Sequence, residues 1–146
     1  MNSQICVDAS LALKLVLVEK DSATAQQLWD TWASVDTEII APSLLAFEGT
    51  SVIRNKMQRG LIPPDEAELM FKTFHLLGVK YLHPEGLHQR AWELAKRFNR
   101  PQSYDSSYLA LAEILGLEFW TADERLYNTV RSDLPWVKWL GNYQPV

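Results

Sequence analysis

Short apolar runs alternate along the chain with longer stretches in which apolar residues recur every three or four positions, a pattern that predicts strands interleaved with helices. The first run, Gln4 to Asp8, reads as a buried strand ending on an acid, and Leu11 to Val18, rich in Leu, Ala and Lys, as the helix after it. Within Ser22 to Val35, Ala25, Leu28, Trp29 and Trp32 fall at helical spacing, and a second strand, Glu38 to Ala41, is stopped by Pro42. Ser43 is placed to N-cap a helix running to about Arg59 and closed by Gly60, and Pro63-Pro64 opens another that reaches Leu77 before Gly78. Val79 to Leu82 is a third strand, His83-Pro84 a turn, and Glu85 to about Asn99 an amphipathic helix stopped before Pro101.

The last third continues the alternation. From Asp105 to Leu115 a helix carries Tyr108, Leu109, Ala112 and Leu115 on one side with Gly116 as its C-terminal cap, and Leu117 to Thr121 is a strand holding Phe119 and Trp120. Thr121-Ala122-Asp123-Glu124 matches a Ser/Thr-x-x-Glu capping box, so a short helix is expected to begin there, and Trp136 to Leu140 supplies a final strand. Nearly continuous apolar strands alternating with helices indicate an α/β class with a mainly parallel sheet covered on both faces. In such sheets, function gathers beyond the carboxyl ends of the strands.

Composition narrows the classes. At 146 residues, 47% of them apolar, the chain suits one soluble domain spanning 1–146. Its longest run without a charged residue, Ile39 to Phe47, is far short of the ~20 apolar residues that cross a bilayer, and Met1 to Val7 lacks the basic start of a signal peptide. No membrane and a cytoplasmic setting are therefore expected. With Cys6 alone, neither an internal disulfide nor a thiolate zinc cage can form.

The net charge of −4 is unevenly spread: residues 1–50 hold two basic and seven acidic side chains, 51–100 nine and five, and 101–146 three and six. Two clusters stand out in the basic middle, Arg54, Lys56 and Arg59, then Lys96, Arg97 and Arg100. They are either solvated helix faces or contacts for a polyanion such as RNA. The glycines form neither a dinucleotide nor a P-loop signature, so NAD and ATP are not indicated. His75, His83 and His88 lack paired zinc spacing and read as structural or surface residues. Six tryptophans suggest core or dimer packing, with stacking on unpaired bases the alternative wherever they lie exposed beside Arg54 or Arg97.

The acidic residues carry the sharper signal. Asp8 closes the first strand, Asp123 lies two residues past the strand 117–121, and Asp105 begins the helix ahead of that strand, so all three can reach one rim. Glu48 sits in an otherwise apolar or small helical stretch, Leu44 to Ile53, and needs a partner. Converging carboxylates are tolerated when protonated, paired with a base or holding a cation. Oxygen-only ligation suits Mg²⁺ or Mn²⁺, which lower the pKa of a bound water and neutralise charge on a phosphodiester under attack. The competing reading is that Asp105 and Asp123 merely favour helix N-termini, with Glu124 completing the capping box.

Val7-Asp8-Ala9-Ser10, Pro42 followed by Glu48, Tyr104-Asp105-Ser106-Ser107-Tyr108-Leu109-Ala110-Leu111-Ala112, and Thr121-Ala122-Asp123 together resemble the PIN-domain nucleases, over essentially the whole chain. Within that family, length and the order Asp, Glu, Asp, Asp look most like the VapC-type toxins of toxin–antitoxin pairs. The resemblance implies an α/β/α sandwich and a Mg²⁺- or Mn²⁺-dependent endoribonuclease whose metal-binding and catalytic quartet is Asp8, Glu48, Asp105 and Asp123. It assigns Ser10 and Thr121 to hydroxyl positions beside that quartet, and implies a homodimer and a cognate antitoxin. Gly49 departs from the larger apolar residue many relatives carry and is expected to loosen the helix that aims Glu48. The rivals are a PIN-type nuclease acting on another nucleic acid and a non-catalytic PIN-like interaction module. A phosphoaspartate receiver ranks last, because no adjacent acidic pair precedes Asp8.

Overall fold

The computed structural model describes residues 3–145. Its elements follow the order β1 (Gln4–Val7), α1 (Ala9–Leu13), α2 (Ser22–Ser34), β2 (Glu38–Ala41), α3 (Leu44–Gln58), α4 (Pro64–His75), β3 (Lys80–Tyr81), α5 (Leu87–Arg97), α6 (Tyr104–Leu115), β4 (Phe119–Thr121), α7 (Glu124–Val130) and β5 (Val137–Trp139), ending in a 3₁₀ turn at Leu140–Asn142. The strands form one parallel sheet in the order β3-β2-β1-β4-β5. Ile5, Cys6 and Val7 in β1 and Ile39, Ile40 and Ala41 in β2 are buried in succession, as strands covered on both faces must be. The expected α/β class is the one observed, and none of the described helices is long and apolar enough to cross a membrane.

The strand order reverses at β1. From there the chain builds β2 and β3 outward on one side, then returns to add β4 and β5 on the other. In a parallel sheet such a reversal opens a crevice beyond the carboxyl ends of the two strands that flank it, here β1 and β4, which pair with Val7 opposite Trp120. Helix α6 packs on α5 and against β1, while α3 packs on α1 and α4. Leu11, Ile40, Leu45, Leu94, Leu109 and Phe119 are fully buried between these layers.

Three local expectations need correcting. The helix read over Leu11 to Val18 is α1, Ala9–Leu13. Its carbonyls at Leu11, Ala12 and Leu13 accept the amides of Lys14, Leu15 and Val16 in tight 3₁₀ fashion, and the turn buries Leu17 while leaving Val18 exposed. The hydroxyl of Ser43 makes no cap bond, because Ser43 is itself helical at φ −59° and ψ −19°. Third, β3 is only Lys80–Tyr81, an exposed edge too short to invite pairing with another sheet.

Gly49 has a packing reason. On the face of α3 that meets α4, a Cβ at this position would overlap the ring of Phe74, which is itself buried. Rather than loosening α3, the missing side chain lets two helices approach closely. Replacing it, Gly49→Ala, should cost about 1–3 kcal/mol through overpacking despite the gain in helix propensity, read as a lower urea midpoint. An unchanged or higher midpoint would show that α3 and α4 do not meet this tightly.

Candidate functional site

The residue after β1 is the anchor of the crevice. Asp8 is 6% exposed, and its carboxylate accepts three hydrogen bonds: from the hydroxyl of Ser10 at 2.7 Å, the hydroxyl of Thr121 at 2.5 Å and the amide of Leu11 at 3.1 Å. The Leu11 bond makes Asp8 the N-cap of α1, so chain direction and side-chain aim are set together. Each hydroxyl also accepts an amide from the turn after β4, Ala122 onto Ser10 and Asp123 onto Thr121, both at 3.0 Å. With both hydroxyl protons given to Asp8, these two turns are tied around one carboxylate.

Thr121 is therefore not the helix cap expected from the sequence. Its hydroxyl is consumed by Asp8, and Asp123 takes the capping position of α7, accepting the amides of Arg125 and Leu126 through Oδ1. Glu124 begins that helix and has no part in a capping box. Asp123 keeps Oδ2 outside these cap bonds, two residues beyond the carboxyl end of β4.

The other two carboxylates arrive from helices and have different partners. Glu48, in the second turn of α3, is half-buried and accepts the Tyr108 hydroxyl at 2.6 Å. Tyr108 is 2% exposed on α6, so it brings its hydroxyl from the core side and fixes where Glu48 points. Asp105, one turn earlier on α6, is gripped by Arg100 at 2.8 Å. Arg100 was one of the candidate RNA contacts; here one of its guanidinium nitrogens is spent on a candidate metal ligand.

Electrostatics ties three of the four together, Asp8, Glu48 and Asp105, and leaves Asp123 apart. Burial raises the Asp8 carboxyl to about 7, only partly offset by the bonds from Thr121, Ser10 and Leu11, and the charge of Asp105 raises it further. Burial likewise raises Glu48, the Tyr108 bond opposes it, and Asp105 again adds repulsion. Tyr108 is pushed well above the ordinary phenol range by burial and by its carboxylate partner. Asp8, Glu48 and Asp105 thus share one field that disfavours their combined negative charge.

Among the described residues, no three acidic, histidine or cysteine groups close into a ready metal cage. The donors nevertheless fit Mg²⁺ or Mn²⁺: they are oxygens only, they repel one another, and such ions keep much of their water shell. Cys6 offers no competing chemistry, being 1% exposed with its thiol pushed up to about 12 by burial. His75 bonds Thr50 at 3.0 Å, and His83 and His88 lie against each other, away from these carboxylates in the chain.

Of the basic residues, Lys56 shares a cleft of about 200 Å³ with Ser10, whereas Arg54, two residues away and so on another side of α3, lines the α3–α4 groove with Phe71. Arg59 is exposed at the end of α3. Lys96 and Arg100 line a second cleft, and Arg97 faces Asp133 at 3.6 Å. Sequence reasoning missed Lys14, which borders the Ser10 cleft with Lys56. Its signal was available: it lies four residues after Ser10, one turn along.

Comparison with known proteins gives the family and the fold. The PIN domain family model matches residues 5–131. The chain belongs to the PIN domain family. The PIN domain described here is 32% identical over 131 residues to VapC ribonuclease Mb0985 of Mycobacterium bovis and to ribonuclease VapC9 of Mycobacterium tuberculosis, covering 90% of this chain and 94% of each relative. Its fold matches the crystal structure of PAE2754 from Pyrobaculum aerophilum with a TM-score of 0.65 at 22% identity, over 88% of this chain and 87% of that one.

The position of Asp8 makes a stability prediction for this PIN domain. Its carboxyl titrates at about 7 in the fold against 3.8 for the free side chain, so the folded state holds the proton to higher pH. Stability from this group is intact below the lower value and is lost as pH rises through the upper one, about 4 kcal/mol in all. In urea titrations of EDTA-treated protein, Asp8→Asn should gain on wild type by a few kcal/mol between about pH 4 and pH 8. A constant gap across that range would mean that Asp8 is not held as a costly buried charge.

Proposed function

We propose that this chain is a Mg²⁺- or Mn²⁺-dependent endoribonuclease, the toxin of a VapC-type toxin–antitoxin pair acting in the cytoplasm. The observation that carries the reading is that Asp8, at the carboxyl end of β1, and Glu48 both lie within the field of Asp105, in a chain 32% identical to VapC ribonucleases. Asp123, whose Oδ1 caps α7, is the fourth member of the set we assign as metal-binding and catalytic; unlike the other three it enters by its place two residues after β4 and the family resemblance, not by a contact with them.

A divalent ion held by these carboxylates would acidify an attacking water and offset charge on the phosphate and leaving oxygens. The protein's own contribution is to fix the donors beforehand. Ser10 and Thr121 orient both oxygens of Asp8, Tyr108 aims Glu48, and Arg100 turns Asp105. Lys14 and Lys56, beside Ser10, are placed to hold phosphates of the strand next to the scissile bond.

RNA, a second copy of the chain and a cognate antitoxin are the partners in this reading. Exposed Phe47, Leu61, Leu69, Phe71 and Leu76, on α3, α4 and their flanks, offer apolar area for a protein partner. One observation favours a non-catalytic module instead: Arg100 already neutralises Asp105 without any cation.

Cleavage decides between them. Labelled RNAs incubated with purified protein should be cut with Mg²⁺ or Mn²⁺ and spared in EDTA, with Asp8→Asn and Asp105→Asn at least about a hundredfold slower. Losing only the hydroxyl that aims Glu48, Tyr108→Phe should retain the fold and slow cleavage about tenfold. Activity that survives in both Asn variants would place the chemistry elsewhere, and metal binding without cleavage of any RNA would favour the module. Separately, Lys14→Gln and Lys56→Gln should each lower the slope of log affinity for single-stranded RNA against log salt by about 0.7. An unchanged slope in both would remove them from the RNA path.

A further inference from the structure

Beside the acidic crevice, the end of α5 and the loop into α6 enclose an open cleft of about 680 Å³, lined by Trp92, Lys96, Asn99, Arg100 and Tyr104. That volume lies within the roughly 300–1,000 Å³ of ligand clefts. Trp92 on α5 is 62% exposed and Tyr104 on α6 55%, while α5 turns Leu87, Ala91 and Leu94 into the core and buried Ala95 lines the cleft beside Trp92. Trp92 and Lys96 stand four residues apart, one above the other on the solvent side of α5. Two large rings and two cations thus share one cleft, the rings more than half exposed to water.

The cleft is joined to the candidate catalytic site through Arg100. Arg100 lines it and also donates to Asp105, the residue after Tyr104, so a group bound there sits one side chain from the acidic set. A guanidinium has five N–H donors, and the Asp105 bond uses one. Arg97, by contrast, faces Asp133 and stacks over Phe98, outside the cleft.

We propose that this cleft is a subsite for one unpaired nucleotide of the RNA, adjoining the scissile phosphate. Trp92 and Tyr104 offer their faces to the base, and Lys96 with the spare donors of Arg100 takes the phosphate. A base inside a duplex presents no free face, so the subsite selects single-stranded or looped RNA. It rests on the endoribonuclease reading and adds to it the side chains that would hold a base beside the cleaved bond.

The test uses the full-length protein in EDTA, to prevent cutting, and a fluorescein-labelled unstructured 12-nucleotide RNA beside the same sequence as a duplex. Trp92→Ala and Tyr104→Ala should each weaken binding of the single strand about tenfold or more, leave the duplex within about twofold and leave the melting temperature unchanged. Trp92→Phe should recover most of the loss, since a ring of any kind can stack. A 5-bromouridine version of the RNA should photo-crosslink to the segment containing Trp92 or Tyr104. Unchanged single-strand affinity in both Ala variants, with wild type binding and cutting RNA normally, overturns the subsite and leaves the nuclease intact. Conversion of a wild-type dimer to a monomer by Trp92→Ala, with RNA affinity unchanged, assigns the cleft to a subunit interface and also overturns it. A wild type that neither binds nor cuts RNA overturns the nuclease reading, and the subsite with it.

Discussion

A carboxylate stands at the end of the central strand, out of water, and three donors keep it there. The bonds from Ser10, Thr121 and Leu11 recover part of what Asp8 loses on burial, but not all, and its carboxyl still rises to about 7. Much of the local architecture follows from satisfying this one group. Ser10 must open α1, Thr121 must end β4 in register with the residue after β1, and the turn after β4 must present two amides to the same hydroxyls. Each hydroxyl has a single proton, so both point at Asp8 and their 3.2 Å separation is a contact between acceptors rather than a hydrogen bond.

The remaining carboxylates are restrained by different chemistry. A buried phenol holds Glu48, a guanidinium holds Asp105, and backbone amides hold Asp123. No partner is shared, so each donor is aimed separately while the repulsion among Asp8, Glu48 and Asp105 persists. That leaves the site oriented but electrostatically unfulfilled, the condition under which a cation with its own waters binds without rearranging the protein. Arg100 is the exception, a resident positive charge that any cation must work beside.

What could be read in the sequence was what depends on local pattern. Buried runs marked β1 and β2, helical spacing marked α2 and α6, and a charge at the end of an apolar strand singled out Asp8. What could not be read depends on contacts between distant segments. Thr121 and Glu124 match a capping box by spacing, yet a partner 113 residues away takes the hydroxyl, and Asp123 becomes the cap. Tyr108 counted only as an apolar helix position, because nothing near it in the chain announces Glu48, 60 residues earlier. Gly49 looked like a weakness until Phe74 from the next helix was seen to occupy its missing side chain.

The basic residues complete the picture by dividing where the sequence grouped them. Helix geometry turns Arg54 and Lys56 by about 200° from one another, so one meets the α4 groove and the other the Ser10 cleft. In the second cluster, Arg97 is drawn to Asp133 while Lys96 and Arg100 turn to the cleft beside Asp105. Cations therefore flank the acidic set in two places, Lys14 and Lys56 beside the residue that holds Asp8, and Lys96 and Arg100 beside the residue that follows Tyr104. In the proposed reading a polyanion bridges such a pattern despite the chain's net charge of −4, its phosphates meeting cations at intervals along the strand and its scissile bond turned to the carboxylates.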